Sequence, residues 1–193
     1  MTSFFDSVEQ TMERRGFLKA GLTLSAVGFL SATCAKPALA LPEGGAYSVA
    51  FRNEHTNETF SGVYRVGNRY LPQAFERINY VLRDFRQNEV FPIDPRVVDI
   101  VAIVHKATGS TQPYSVLSGY RTPKTNAMLR HESGGVAKRS LHMAGQAIDV
   151  RMPNIKTKRI HDLATKLHAG GVGYYSRSNF VHMDSGVYRT WGA

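Results

Sequence analysis

Between residues 46 and 66 the chain alternates apolar and polar positions twice, in AYSVAFRN and TFSGVYRV, with the turn-forming HTNE between them. A period of two sends successive side chains to opposite faces, so the pattern predicts a β-hairpin with one buried face. The period then changes. In LPQAFERINYVLRDFRQNE, Phe75, Ile78, Leu82 and Phe85 recur at helical spacing, and Pro72 suits a first turn whose N–H needs no partner. Val97, Val98, Val101 and Val104 predict a second helix from Pro95 to about Thr108, with Gly109 as its stop. Two more helices are expected near residues 125–132 and 155–169, the latter ended by Gly170 and Gly171, and strands are expected at 114–117, 147–152, 171–175 and 180–184. Helices and strands mix without regular alternation. That order predicts one compact α+β domain, with a small antiparallel or mixed sheet flanked by helices, rather than a doubly wound fold. No internal repeat or second domain boundary is visible.

The first 40 residues follow a different logic. ERRGFLKA precedes the apolar run GLTLSAVGFL, and the segment closes on Ala38, Leu39 and Ala40, a secretory layout of basic residues, short apolar region and small residues at a cleavage site. Arg14 and Arg15, followed by Gly16, Phe17, Leu18 and Lys19, resemble a twin-arginine export signal, with Glu13 where Ser or Thr is usual. The apolar run from Gly21 to Leu30 is too short to span a bilayer. Residues 1–40 are therefore expected to be a signal peptide and 41–193 the exported domain, meeting the membrane only in transit through the export machinery. Cys34, the only cysteine, falls in the leader, and Thr33 and Ser31 fit poorly to a lipidation site. The exported part then has neither thiol nor disulfide, and its core must supply its stability.

The chain is 42% hydrophobic and 20% charged, which excludes a disordered polyelectrolyte. Its net charge of +9 lies mostly beyond residue 40 and favours polyanionic surroundings. Nucleic acid is not expected, because no recognition motif accompanies the charge and an exported protein meets little of it. Anionic head groups and the carboxylate-rich bacterial wall are the polyanions of that compartment.

In SLHMAGQAIDV, His142 and Asp149 flank Gly145 in a run of otherwise small and apolar residues. They either close the ends of a half-buried strand or are two ligands of one metal ion. A third candidate stands in NFVHMDSG, where His182 and Asp184 are two apart in a predicted strand and share a face. His142, Asp149 and His182 together make a two-histidine, one-carboxylate set, which suits a single zinc ion with water in the open fourth position. The remaining histidines, His55, His105, His131, His161 and His168, are assigned to surfaces and loops.

Ser140, His142, Gly145, Ala147 and Asp149 form the pattern SxHxxGxAxD, which, with a later strand histidine, is similar to the zinc peptidases of bacterial cell-wall peptides. These are the D-alanyl-D-alanine carboxypeptidases and dipeptidases and the penicillin-insensitive murein endopeptidases. The resemblance implies zinc on His142, Asp149 and His182. SGYRTPKTNAMLR resembles the family segment that lines the substrate cleft, implying substrate roles for Ser118 and Arg121, whose guanidinium can hold a carboxylate or a developing oxyanion. Tyr174 and Tyr175 are further candidate contacts, with core packing as the alternative.

The likeness continues through the double-arginine leader, IDP at Asp94, GVAKRS, GVGYYSRSNFVHMDSG and the terminal Trp191, and so spans nearly the whole chain. It implies a periplasmic hydrolase of peptidoglycan crosslinks, including those between two diaminopimelate residues; a monomer is expected, a state that the sequence itself does not fix. A D,D- or L,D-carboxypeptidase and a wall-binding zinc module without turnover are the alternatives. Two positions depart from the wider pattern. Asn179 stands where many members carry a carboxylate base, and Phe180 where they carry Trp or His. Asp184 is then the candidate base, or equally a carboxylate that holds a ligand histidine.

Overall fold

The computed structural model describes residues 44–192. The expected signal peptide and the first residues of the expected exported domain lie outside that range. β1 (Ala46–Asn53) and β2 (Thr59–Val66) form the predicted antiparallel hairpin, in which buried Phe51 and Phe60 sit directly opposite. β3 (Arg69–Tyr70) extends its edge.

α1 (Pro72–Val81) stops short of the helical periodicity. The carboxylate of Asp84 accepts the backbone N–H groups of Arg86 and Gln87 at 3.0 and 3.3 Å, and Asp84 and Glu89 exchange backbone bonds. A side chain that satisfies nearby N–H groups competes with the helix and turns the chain. α2 (Pro95–Thr108) is capped by Asp94, which accepts the Arg96 N–H at 2.9 Å, and ends at Gly109 with φ 74°. α3 (Pro123–Glu132) starts two residues earlier than the periodicity suggests, because Thr122 accepts the Thr125 N–H at 3.1 Å and Pro123 fits the first turn.

β4 (Tyr114–Ser118), β5 (Ala147–Arg151), α4 (Thr157–Leu167), β6 (Gly171–Tyr175) and β7 (Phe180–Asp184) fall close to expectation. α4 ends at His168, itself in the left-handed region at φ 53°, rather than at the following glycines. Gly170 serves packing instead, since a Cβ there would collide with the Asp184 carbonyl. β8 (Arg189–Gly192) closes the chain. Neither β3 nor β8 was expected, being too short to show a period.

All eight strands join one mixed sheet in the order β3-β2-β1-β4-β5-β7-β6-β8, larger than the small sheet expected. β1 with β4 and β6 with β8 are parallel pairs, and the other pairs are antiparallel. α1 packs on β2, α2 crosses to β1 and β7, and α4 covers β6 and β7. Ile148, Val150, Val181 and Met183 join Val98, Val101 and Ile160 in one buried cluster. Each fully buried aliphatic side chain contributes about 1.5–3 kcal/mol, so this face anchors β5 and β7. The alternate residues of the same strands point the other way. Asp149, His182 and Asp184 are therefore held on a fixed framework, opposite the helices. Among the described residues no helix is long and apolar enough to cross a membrane.

Candidate metal centre

Strand register brings two of the three expected ligands together. Asp149 on β5 is directly opposite His182 on β7, and Asp149 Oδ1 lies 2.8 Å from His182 Nδ1. His142 reaches them from a short 3-10 turn, Leu141–Ala144, whose entry is capped by Ser140 and whose exit is Gly145 at φ 66°. A Cβ at Gly145 would strike the Pro92 carbonyl, so the position needs glycine for space as well as for φ. Asp94 ties this turn to the end of β7. Its N–H donates to the Gly145 carbonyl at 2.9 Å, and its carboxylate accepts the Ser185 hydroxyl at 2.6 Å. His142 Nε2 then lies 3.2 Å from His182 Nδ1 and 3.3 Å from Asp149 Oδ2. One ligand atom from each residue lies within 4.8 Å of the other two, and all three residues are buried.

The ring partners decide which nitrogens face the cluster. His142 Nδ1 is 2.7 Å from the Gly119 carbonyl, which only accepts, so Nδ1 carries a proton and leaves Nε2 to the cluster. His182 Nε2 is 2.9 Å from Asp184 Oδ2, so Nε2 donates there and Nδ1 turns to the cluster. Burial pushes the His142 pKa below the ordinary histidine value. Burial acts likewise on His182, but the Asp149 and Asp184 carboxylates, as hydrogen-bond acceptors and negative charges beside the ring, outweigh it and raise that pKa. For Asp149, burial is opposed by His142, His182 and the Arg121 guanidinium, which together hold the carboxyl well below the usual range. Two imidazoles with fixed tautomers and an ionised carboxylate form a donor set that fits zinc.

The remaining candidates separate. Arg121 lines the same cleft, donating from Nη2 to Asp149 and from Nε to the Ser118 hydroxyl at 2.6 Å. Ser118 thus braces Arg121 and is not itself among the lining residues. Asp184 sits behind the His182 ring, fully buried, and accepts from Arg189 Nη2 at 2.7 Å and from the Gly171 and Gly186 N–H groups at 3.0 and 2.9 Å. Burial raises its pKa, but His182 and Arg189 pull it the other way more strongly, to far below the ordinary range. Tyr174 is not brought to the cleft. It lies on the face covered by α4, its ring 5.2 Å from that of His161. Asn179, in a turn at φ 51°, accepts the Thr157 hydroxyl at 3.1 Å and lines a separate hollow beside Arg151 and Lys156.

The cleft over the cluster encloses about 510 Å³. Its wall includes Tyr175, one of the two tyrosines expected as contacts, together with Arg139, Phe180, Arg189 and Trp191, which were not among the expected site residues. Tyr175 and Phe180 stack at 4.4 Å, and Trp191 Nε1 donates to the Tyr175 hydroxyl at 3.0 Å. A signal for Tyr175 was present in the strand parity. Gly173 pairs with His182, so Gly171, Gly173 and Tyr175 share the site's face and Tyr174 cannot.

A mixed sheet in an α+β domain, carrying two histidines and a carboxylate beneath a cleft of arginines and aromatic rings, has the make-up of a metallopeptidase. The chain belongs to the family of peptidoglycan L,D-endopeptidase MepK, whose profile matches residues 43–191. It is 39% identical over 143 residues to peptidoglycan L,D-endopeptidase MepK of Escherichia coli strain K12, covering 74% of this chain and 79% of that protein. The probable peptidoglycan L,D-endopeptidase MepK of Haemophilus influenzae is 38% identical over 144 residues, covering 74% of this chain and 77% of its own. The crystal structure of Serratia marcescens L-Ala D-Glu endopeptidase ChiX aligns over 39% of this chain and 62% of its own. Its TM-score of 0.32 and identity of 19% make that likeness too loose to bear on fold or function.

Proposed function

We propose that this chain is a zinc-dependent endopeptidase that hydrolyses peptide crosslinks of bacterial peptidoglycan in the periplasm, after export on the twin-arginine signal of residues 1–40. The observation that carries the reading is the buried His142, Asp149, His182 cluster at the floor of the cleft, in a chain of the MepK family. The L,D-endopeptidase names of its relatives favour crosslinks between two diaminopimelate residues as the bonds cut.

A bound zinc ion supplies a water activated near neutral pH and a Lewis acid for the scissile carbonyl. The chain's own residues do the rest. Gly119 and Asp184 keep the lone pairs of His142 Nε2 and His182 Nδ1 directed at the cluster. Arg121 fixes the Asp149 carboxylate and has further N–H donors for a substrate carboxylate or developing oxyanion. Tyr175, whose oxygen already accepts from Trp191, keeps its O–H free to donate to substrate, and so of the two candidate tyrosines takes the contact role. Of the two roles open to Asp184, its place behind the ring favours holding His182 over taking a proton.

One observation favours a second reading, a wall-binding zinc module without turnover. Among the described residues Asp149 is the only carboxylate lining the cleft, and it belongs to the ligand set. Digestion of purified murein by residues 41–193, with products separated and weighed by mass spectrometry, distinguishes the readings. Loss of crosslinked dimers with gain of monomers supports the endopeptidase. Release of single terminal residues means a carboxypeptidase, and bound but intact murein means the module.

A further inference from the structure

The cluster is braced from behind by the last strand of the chain, whose Arg189 and Trp191 were not among the expected site residues. Asp184 has no side-chain exposure, and a buried carboxylate is costly unless its charge is matched. Arg189 matches it, with Nη2 at 2.7 Å from Oδ2 and Nη1 at 3.1 Å from Oδ1. Asp184 Oδ2 is also the atom that receives His182 Nε2 at 2.9 Å. A continuous path therefore runs from Arg189 through Asp184 to the ring whose other nitrogen faces Asp149 and His142.

The fold makes room for this path at two glycines. β8 pairs in parallel with β6, setting Arg189 beside Gly171 and Trp191 beside Gly173. A Cβ at Gly171 would collide with both the Asp184 carboxylate and the Arg189 guanidinium, and one at Gly173 would come 2.6 Å from the Trp191 indole. The indole in turn lies 5.1 Å from the His182 ring, and the Arg189 guanidinium carbon lies 4.9 Å from the centre of the Trp191 ring. The glycines of GVGYY and the side chains of RTWG interlock around His182.

We infer that Arg189 is a positioning residue of the metal centre: by pinning the Asp184 carboxylate it fixes the orientation and tautomer of His182. Without the guanidinium, Asp184 keeps its backbone donors but loses its countercharge and can turn from the ring. His182 Nε2–H then lacks a fixed acceptor, and the imidazole is free to place its proton on Nδ1, which removes the lone pair the cluster needs. This inference rests on the metal-centre reading above.

The test uses the full chain with Arg189→Gln, Arg189→Lys and Thr190→Ala, the last an exposed neighbour on the same strand. Zinc affinity is measured by competition with a chromophoric chelator, and the ring nitrogen signals of His182 are read by NMR in the metal-free protein at alkaline pH, where the ring is neutral. Arg189→Gln is expected to weaken zinc binding by roughly 10- to 100-fold, as loss of a partner behind a metal ligand does, and to shift the His182 signals away from the Nε2-protonated form. Arg189→Lys restores part of both, since one ammonium cannot span two carboxylate oxygens. Thr190→Ala is expected to change neither. A folded Arg189→Gln protein with unaltered zinc affinity and unaltered His182 signals overturns the inference. If Arg189→Gln does not fold, Arg189→Lys decides in the same way, with wild-type behaviour in both readouts counting against. Absence of zinc binding by the unmodified chain overturns the metal-centre reading instead.

Discussion

Asp149 and His182 face each other across the β5–β7 pair, with Oδ1 2.8 Å from Nδ1. Each is flanked on its own strand by core residues that point to the helices, so neither can leave its place without disturbing buried apolar packing. The rigidity of the candidate centre comes from that pairing. His142 is added by a turn that Gly145 and Asp94 hold in place.

Asp184→Asn separates the two roles open to that residue. As the partner of His182 Nε2, its loss is expected to weaken zinc binding by roughly 10- to 100-fold, measured by chelator competition. A proton acceptor would instead leave zinc affinity unchanged while turnover falls.

Gly119→Ala tests the support of His142. A Cβ at this position would meet the Leu82 carbonyl and come 2.8 Å from Leu82 Cβ, so the carbonyl that receives His142 Nδ1 has to move. A destabilisation on the order of 2 kcal/mol by denaturant unfolding is expected, together with weaker zinc binding.

Asp84 anchors the turn that carries Arg121, accepting the Thr122 N–H and hydroxyl, both at 2.9 Å. Burial raises its pKa, but hydrogen bonds from donors that include Thr122 and Gln87 outweigh this and lower it from 3.8. A lowered carboxylate pKa stabilises the fold above the unfolded value and loses that contribution as pH falls through the folded value. Asp84→Asn is therefore expected to be less stable than wild type at pH near 6, by about 1–3 kcal/mol. The gap should narrow once the pH drops below about 4, as urea unfolding across that range would show.

Arg139 lines the cleft with no acidic partner among the described residues, whereas Arg121 and Arg189 are paired with Asp149 and Asp184. Arg139→Gln is expected to raise KM for soluble crosslinked muropeptides by about tenfold with kcat little changed, the signature of lost ground-state binding. A fall in kcat at constant KM would place Arg139 in the chemistry instead.

The candidate cluster was legible in the sequence only in part, because its pieces are local but the β5–β7 pairing that joins Asp149 to His182 is not. Strand alternation sets His182 and Asp184 on one face, and the spacing in SLHMAGQAIDV carries the chain from a capped turn into a strand. Other features depend on pairings that no period reveals. Tyr174 and Tyr175 differ by one residue, and only the opposition of Gly173 to His182 tells which of them reaches the cleft. That Asn179 is directed to Thr157 and not to the cleft follows from its turn, at φ 51°, which no period reveals. Arg189 and Trp191 arrive on a four-residue strand that pairs in parallel with β6, a contact without local signature. Asp84 ends a helix that hydrophobic periodicity alone would have continued, because its carboxylate captures backbone donors.

The most direct test of the central claim is to strip the protein of metal, add zinc back in measured steps, and follow the loss of crosslinked dimers from purified murein alongside zinc bound per chain. The account predicts no cleavage by the stripped protein, activity rising in proportion to occupancy and saturating at one zinc per chain, and neither binding nor cleavage in His142→Ala. Undiminished cleavage by the metal-free protein, or by a folded His142→Ala variant, would contradict it.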